Sequence, residues 1–393
     1  MAEAIIVSAC RTPIGKFLGG LTGFRAPELG AIAIREALKR SEVDPASVEE
    51  VIMGNVVSAG LGQNPARQAA LGAGIPAKAG ALTVNKVCGS GMKAIMLAAQ
   101  AIKCQDAEVM VVGGMESMSN GPYILRNART GYRLGHGELV DTMIFDGLWD
   151  IHNNIHMGET GELVAQKYNI SREEQDAFAL DSHKKAHEAT VSGRFKAEIV
   201  PVPVAQKKGE PLQFTTDEGI RSDTSMESLA KLKPAFKKDG TVTAGNASQI
   251  SDAASALVVM SDKHATRLGI RPIARIITYA TSGIEPEWVM LAPIEAVKKI
   301  LKRLNVPIDH FDLIELNEPF AVATIALRRE LEIPEERLNI NGGAVALGHP
   351  IGATGARMVT TLIFALRNTG KKRGLAALCL GGGNAVALAL ELI

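Results

Sequence analysis

The apolar residues of this 393-residue chain fall into two kinds of segment that alternate along it. Short unbroken apolar runs, such as Val109 to Gly114 and Leu375 to Leu380, predict buried strands. Apolar positions at helical spacing, such as those from Met92 to Ile102, predict amphipathic helices. Because strands of this kind must be covered on both faces, the alternation predicts an α/β fold with buried sheets between helices.

The second half of the chain repeats the first at a constant offset of 263 positions. Leu38-Lys39-Arg40 recurs as Leu301-Lys302-Arg303, and the apolar residues after each copy keep the same spacing. In both copies the pattern predicts a helix after a proline, then a strand. The predicted helices are about Glu28 to Arg40 and Ile294 to Arg303, and the predicted strands are about Glu50 to Met53 and Leu313 to Leu316. A repeat of this length predicts two stacked α/β halves.

The segment 119–245 breaks this pattern and is more charged than its surroundings. We interpret it as an inserted, substrate-facing subdomain, and a solvated surface excursion is the alternative. Ser171 and Glu174 form a capping-box pattern that predicts the start of a helix within it. The predicted division is therefore 1–118 with 246–270 as the N-terminal half, 119–245 as the insert, and 271–393 as the C-terminal half.

The charge balance narrows the classes of partner. Lys and Arg total 43 and Asp and Glu total 42, a formal net charge of +1, which argues against a nucleic-acid partner. The N-terminus lacks the basic start and long apolar core of a signal peptide. Leu375 to Leu390 is uncharged but interrupted by three glycines, and it falls short of the roughly 18 apolar residues of a membrane span. We expect a cytoplasmic protein with no membrane partner.

The four cysteines, Cys10, Cys88, Cys104 and Cys379, are far apart and form no C-x-x-C pair, which argues against disulfides and a thiolate metal site. Cys88 precedes Gly89-Ser90-Gly91 at the predicted start of a helix. Free N–H groups and the helix dipole there favour a thiolate, as a nucleophile requires. The alternative is a cysteine that only packs, which is the role expected for Cys10 and Cys104.

His349 lies in a glycine-rich stretch that lets the backbone approach a ligand closely. The P-loop pattern fails there, because His349-Pro350 occupies the positions of its Lys and Ser/Thr. The 263-residue offset carries Cys88 to position 351, two residues from His349, so the repeat predicts a Cys–His pair on corresponding turns. No metal site is predicted, because the histidine pairs 152/156 and 183/187 lack the H-E-x-x-H glutamate.

Two further positions follow predicted strands. Cys379 ends an apolar strand before Gly381-Gly382-Gly383, and it is either a base assisted by a neighbour or a buried apolar residue. Asn317 precedes Glu318-Pro319, where Pro319 suits the first turn of a helix. Its amide either caps that helix or holds a water or an oxyanion.

Four motifs together resemble the thiolase family, in their order and spacing. They are Val87 to Gly91, Asn317 to Phe320, Gly348 to Gly352 and Cys379 to Gly383, and segments at Arg11 to Gly15, Gly113 to Met118 and Gly245 to Ser248 agree with them. The match spans essentially the whole chain and is closest to the biosynthetic type that acts on acetoacetyl-CoA. It implies a layered α-β-α-β-α sandwich with duplicated halves, buried mixed sheets and an inserted loop subdomain.

The resemblance also implies residue roles. Cys88, activated by His349, would accept an acetyl group from acetyl-CoA, and Cys379 would deprotonate a second acetyl-CoA. His349, together with a water held by Asn317, would stabilise the enolate. The N–H groups of Cys88 and Gly381 would stabilise the tetrahedral intermediate. The coenzyme A channel would be lined by Leu148, His156, Met157, Arg221, Ser228, Leu232, Phe236, Ala244, Ser248 and Phe320. Coenzyme A thioesters would be substrates, with no permanently bound cofactor, in a homotetramer whose dimers meet near 121–133.

Three other functions stay open. A degradative 3-ketoacyl-CoA thiolase of broader chain length would use the same residues, and Val289 to Pro293 departs from the glycine-rich run common in acetoacetyl-specific members. A decarboxylating ketosynthase usually has histidine or asparagine where Cys379 stands. An acyl-CoA binding module without catalysis would not need Cys88.

Overall fold

The computed structural model describes residues 2–393. Its strands are β1 Ala4–Arg11, β2 Gly15–Lys16, β3 Glu50–Gly54, β4 Gly80–Val84, β5 Val109–Ser117, β6 Tyr123–Leu125, β7 Leu139–Asp141, β8 Trp149–Asp150, β9 Ile155–His156, β10 Val202–Val204, β11 Leu212–Phe214, β12 Ser251–Ser261, β13 Ala274–Gly283, β14 Leu313–Leu316, β15 Arg373–Leu380 and β16 Asn384–Leu392. Its α-helices are α1 Ala26–Ser41, α2 Pro65–Gly72, α3 Ser90–Cys104, α4 Met157–Tyr168, α5 Arg172–Val191, α6 Met226–Ala230, α7 Asp262–Leu268, α8 Ala292–Leu304, α9 Ala321–Glu330, α10 Ala344–Leu347 and α11 Ile351–Thr369. Among the described residues, none of the helices has the length and apolar character needed to cross a bilayer.

The central feature is one mixed sheet in the order β14-β15-β16-β13-β1-β12-β5-β3-β4, with β2 paired to β12. It consists of two half-sheets, one from each repeat, joined by a short antiparallel pairing of Ile5 and Ile6 in β1 with Arg275 and Ala274 in β13. β3 is parallel to both β4 and β5, and β14 is parallel to β15. The sheet is therefore mixed, as expected.

The helices form three layers around the two half-sheets. α3 and α11 are central, and their apolar residues share one buried cluster with side chains of both half-sheets, including Met92, Met358 and Leu388. α1 and α2 cover the outer face of the first half-sheet. α8 and α9 cover the outer face of the second. The predicted α-β-α-β-α sandwich is confirmed.

The repeat prediction agrees with the elements at both copies. The helices predicted from Glu28 and Ile294 are α1 and α8, each a few residues longer, and the strands are β3 and β14. α3 and α11 are the matching inner helices, and each begins just after a turn that bears a candidate residue. The offset between Cys88 and position 351 therefore relates the starts of two neighbouring helices.

The segment 119–245 contains α4, α5, α6 and three two-stranded pairs outside the main sheet. The capping box at Ser171 is present, and the Ser171 hydroxyl accepts a hydrogen bond from the N–H of Glu174. Buried Arg11 ties the segment to β1 through Asp217, at 2.7 Å, and Glu198. The boundaries of the three predicted units stay a prediction.

Two local expectations are wrong. Pro319 does not lie in a helix, because α9 begins at Ala321 with Phe320 as its N-cap, so Asn317 does not cap it. Cys104 is exposed at the end of α3 and has no packing role. Cys10 is buried in β1, where its thiol donates to the carbonyl of Ala33 at 3.2 Å, as its packing role requires.

Candidate active site

Cys88 lies in the turn that leads into α3. Val87 has a φ of +46°, an uncommon conformation for a β-branched residue, so this turn is held in a strained shape by its surroundings. The backbone N–H groups of Gly381 and of Cys88 itself face the sulfur, yet burial outweighs them and raises the pKa of the Cys88 thiol to about 12. The prediction that the helix start favours a thiolate is therefore wrong for the resting protein. The Cys88 thiol is neutral, and a base must remove its proton.

His349 supplies a neutral imidazole immediately before α11. It is buried, and its Nδ1 lies 2.8 Å from the hydroxyl of Thr354. Its Nε2 lies 3.5 Å from Nδ2 of Asn317. Burial, with a smaller contribution from the charge of Arg357, lowers the pKa of His349 to about 3. The ring is thus uncharged near neutral pH and can accept a proton.

The positions of Asn317 and Cys379 follow from the parallel pairing of β14 with β15. The N–H of Asn317 donates to the carbonyl of Ala377, so the residue after β14 lies beside the end of β15. Oδ1 of Asn317 is buried without a hydrogen-bond partner, as expected of a group that binds a water or a substrate oxygen. Cys379 is buried, and burial, with the nearby Cys88 as a smaller cause, raises the pKa of its thiol.

Small residues allow α3 and α11 to approach closely. A Cβ on Gly91 would lie 2.8 Å from the backbone N of Ala356, and a Cβ on Gly355 would lie 2.5 Å from the backbone N of Met92. Both distances are too short for any side chain. The glycines therefore bring the turns of Cys88 and His349 to the same edge of the central layer.

Two buried carboxylates hold the surrounding loops. Glu116 accepts the N–H groups of Val56, Val57 and Gly352, so β5 fixes the start of α11. Glu318 accepts from Ser182, Asn339 and the N–H of Val345. Both residues lie in segments that resemble the thiolase family, but their role in holding the loops was not predicted from the sequence.

A cavity of about 450 Å³ opens from the protein surface and reaches His349. Eight of the predicted residues line it: Leu148, His156, Arg221, Phe236, Ala244, Ser248, Phe320 and His349. Cys88 packs against an apolar cluster that includes Met118 and Ile351, which also line the cavity. The nucleophile candidate therefore lies next to the inner end of the cavity.

One wall of the cavity is aromatic. The ring of His156 stacks on Phe236 with centroids 4.6 Å apart, and Phe236 meets Phe320 edge-on at 5.8 Å. His156 is also the N-cap of α4, where its Nδ1 accepts the N–H of Gly158. Burial lowers the pKa of His156, so this wall is uncharged near neutral pH.

Three predicted channel residues do not line this cavity. Ser228 is exposed on α6, where its hydroxyl donates to the carbonyl of Ser225. Leu232 packs near Leu229 beside that helix, and Met157 begins α4 and packs against the outer cluster of the second half. Their role in substrate binding stays a prediction.

Other lining residues were missed by the sequence analysis. They are Lys16, Phe17, Met118, Ile144, Ala235, Ala247, Gln249, Ile250 and Ile351. Lys16 and Phe17 directly follow the recognised Arg11-to-Gly15 segment, and Gln249 follows Ser248, so extending these segments would have found them. Ile144 and Leu148 lie on a π-helical turn, Met143–Leu148, an uncommon element that often occurs at functional sites.

The chain is similar to known proteins over its whole length. Family models described as the thiolase N-terminal and C-terminal domains match residues 4–263 and 270–392. Proteins named acetyl-CoA acetyltransferase from Pseudomonas aeruginosa and Cupriavidus necator are 53% and 51% identical, over 99% and 100% of both chains. The crystal structure of the Bacillus anthracis acetyl-CoA acetyltransferase superposes with a TM-score of 0.98 at 44% identity, covering 100% of this chain and 99% of the other. The chain belongs to the thiolase family.

Proposed function

We propose that this protein is an acetyl-CoA C-acetyltransferase that reversibly converts two acetyl-CoA molecules into acetoacetyl-CoA and coenzyme A. The observation that carries the proposal is that two thiols, the half-buried Cys88 and the buried Cys379, lie near each other beside an apolar cavity that reaches the neutral imidazole of His349. The full-length similarity to proteins named acetyl-CoA acetyltransferase supports the choice of acyl group.

The first half-reaction moves an acetyl group to Cys88. His349 takes the thiol proton through Nε2, and the sulfur attacks the thioester carbonyl of acetyl-CoA. The oxyanion that forms accepts hydrogen bonds from the N–H groups of Cys88 and Gly381, which face the sulfur. The bond to the sulfur of coenzyme A then breaks, and the departing thiolate takes the proton of Cys379. The products are acetyl-Cys88, free coenzyme A and a Cys379 thiolate.

The second half-reaction makes the carbon–carbon bond. The Cys379 thiolate removes a methyl proton from a second acetyl-CoA, and its raised pKa makes it a strong base. The enolate oxygen accepts a hydrogen bond from the proton now on Nε2 of His349 and from a water held by Asn317. The carbanion attacks the acetyl carbonyl, acetoacetyl-CoA leaves, and Cys88 recovers its proton from His349.

The cavity suits the pantetheine arm of coenzyme A. Its apolar residues can cover the chain, while Arg221 and Lys16 add positive charge that can bind phosphate groups. We assign substrate contacts to Leu148, His156, Phe236, Ala244, Ser248 and Phe320 on this basis. No separate bound cofactor enters either half-reaction.

A mass spectrum of peptides after brief exposure to acetyl-CoA tests the proposal. We expect acetyl on Cys88 and on no other cysteine. In a Cys379→Ala variant we expect slower acetylation of Cys88, because the departing thiolate loses its proton donor, and no acetoacetyl-CoA, because the second base is missing. Cys104→Ala is the matched control, since the exposed Cys104 should not affect either step. An unacetylated Cys88, or full activity in Cys88→Ala, would contradict the proposal, and the latter would favour a binding module.

The second candidate is a thiolase of broader chain length. A Staphylococcus epidermidis relative, 51% identical over 98% of both chains, is named probable acetyl-CoA acyltransferase, a name that does not restrict the product to acetoacetyl-CoA. Thiolysis of acetoacetyl-CoA and of a longer 3-ketoacyl-CoA separates the two candidates. A higher kcat/KM for the longer substrate would overturn acetyl specificity.

We also propose a cytoplasmic homotetramer, with a dimer as its minimum. Support comes from exposed apolar side chains in and between β6 and β7, in particular Tyr123, Leu134 and Leu139. Such residues are costly to leave in water and are common at contacts between subunits. The near-zero net charge gives no support to a nucleic-acid partner.

A further inference from the structure

Thr354, in the first turn of α11, contacts the candidate base and has no assigned role. It is fully buried. Its hydroxyl oxygen lies 2.8 Å from Nδ1 of His349 and 2.9 Å from the carbonyl oxygen of Pro350. Thr354 does not line the cavity, so it acts on a substrate only through His349.

The number of hydrogen atoms available decides which of these groups donates a hydrogen bond and which accepts one. A hydroxyl carries one hydrogen, and the carbonyl of Pro350 can only accept. Two oxygens 2.9 Å apart without a hydrogen between them would repel each other, so the Thr354 hydrogen points to Pro350. The Thr354 oxygen must then accept from His349, and Nδ1 carries the hydrogen of the neutral ring.

The other side of the ring agrees with this tautomer. The Nδ2 amide of Asn317, a donor, lies 3.5 Å from Nε2 of His349. A hydrogen on Nε2 would set two donors against each other there. With the hydrogen on Nδ1, Nε2 instead presents a lone pair toward Asn317 and the inner end of the cavity.

We propose that Thr354 is a positioning residue that holds His349 as the Nδ1–H tautomer, leaving Nε2 as the only site that can take the proton of Cys88. This inference rests on the proposed function. Burial keeps the resting ring neutral, because it lowers the pKa of His349 to about 3, so the choice of tautomer decides whether the base is available. The other tautomer would present a hydrogen to the thiol and could not activate it.

The rate of acetylation of Cys88 in a single turnover tests this role. Thr354→Val keeps the size of the side chain and removes the hydroxyl. A general base contributes typically 10²- to 10⁴-fold, and the ring itself remains, so we expect acetylation to slow by about 10- to 100-fold. The acetyl-CoA concentration at half-maximal rate should not change, because Thr354 does not touch the cavity. Thr354→Ser restores the hydroxyl and should recover most of the rate.

Thr360→Val is the matched control. Thr360 is equally buried on the same helix, and its hydroxyl lies 3.0 Å from that of Ser255 rather than near His349. The inference is overturned if Thr354→Val is acetylated at the wild-type rate, if Thr354→Ser is as slow as Thr354→Val, or if Thr360→Val is equally slow. If Thr354→Val does not fold, Thr354→Ala takes its place. Absence of acetylation in the wild type would instead contradict the proposed function.

Discussion

Cys88 and Cys379 are both neutral at rest because burial raises their pKa values. This has a cost, since each thiol must be deprotonated during the cycle. It also has a benefit, because the nucleophilicity and basicity of a thiolate rise with its pKa, with a Brønsted coefficient of about 0.4–0.5 for nucleophilic attack. The half-buried Cys88 thiol therefore becomes a strong nucleophile only when the neutral imidazole of His349 takes its proton.

Buried neutral histidines also make the stability of the protein depend on pH. His183 accepts the N–H of Arg221 through Nδ1, and burial, assisted by the charge of Arg221, lowers its pKa to about 4. An unfolded histidine takes up a proton below about pH 6.5, whereas folded His183 does not until about pH 4. The stability that His183 contributes is therefore present above pH 6.5 and is lost as the pH falls toward 4.

His183→Gln should remove part of this acid sensitivity. The free energy of unfolding, measured by urea titration at one protein concentration, should fall between pH 7.5 and 5 by about 2 kcal/mol more in the wild type than in the variant. His310→Gln is the control, since His310 is not buried. Parallel curves for wild type and His183→Gln would contradict the prediction.

The inner helices α3 and α11 are the elements on which the site depends. Their starts carry Cys88 and His349, and their close approach requires small residues at the crossing. A Cβ on Gly91 would lie 2.8 Å from the backbone N of Ala356 and 3.1 Å from the carbonyl oxygen of Gly352. Backbone atoms cannot rotate away, so even a methyl group would push the two helices apart.

Gly91→Ala should therefore destabilise the protein and reduce acetyl transfer. Alanine favours a helix by about 1 kcal/mol over glycine, but overpacking a buried contact costs about 1–3 kcal/mol, and we expect the clash to dominate. A lower melting temperature with a lower rate of Cys88 acetylation would show this. Gly23→Ala is the control, because no atom lies within 4 Å of its Cβ position. A Gly91→Ala variant as stable and active as the wild type would refute the close packing.

The sequence predicts the helices and strands best where a pattern repeats along the chain. The helices α1 and α8 and the strands β3 and β14 could be predicted from the 263-residue offset, and so could the correspondence of the two inner turns. The pairing of β1 with β13 could not, because it joins residues far apart in sequence and involves only two positions in each strand. The raised pKa of Cys88 was missed for a similar reason, since burial depends on contacts from distant segments.

The whole molecule combines a layered core with a more exposed insert. The core carries Cys88, His349, Asn317 and Cys379, and the insert supplies Leu148, His156, Arg221 and Phe236 to the cavity. The proposed function therefore draws on both parts: it assigns the chemistry to residues of the two halves and much of the substrate contact to the segment between them. The same insert carries the exposed apolar side chains of β6 and β7.

The exposed apolar side chains in and between β6 and β7 predict a contact between subunits. Leu134 is 99% exposed and Leu139 is 65% exposed, an arrangement that a partner surface would relieve. In the combined variant Leu134→Asp, Leu139→Asp, two charges would have to be desolvated in the contact between dimers. We expect light scattering to report a dimer for this variant and a tetramer for the wild type. Leu268→Asp, on helix α7 and 52% exposed, should leave the mass unchanged. A tetramer that persists in the double variant, or a wild type that is not tetrameric, would show that this part of the insert does not join dimers.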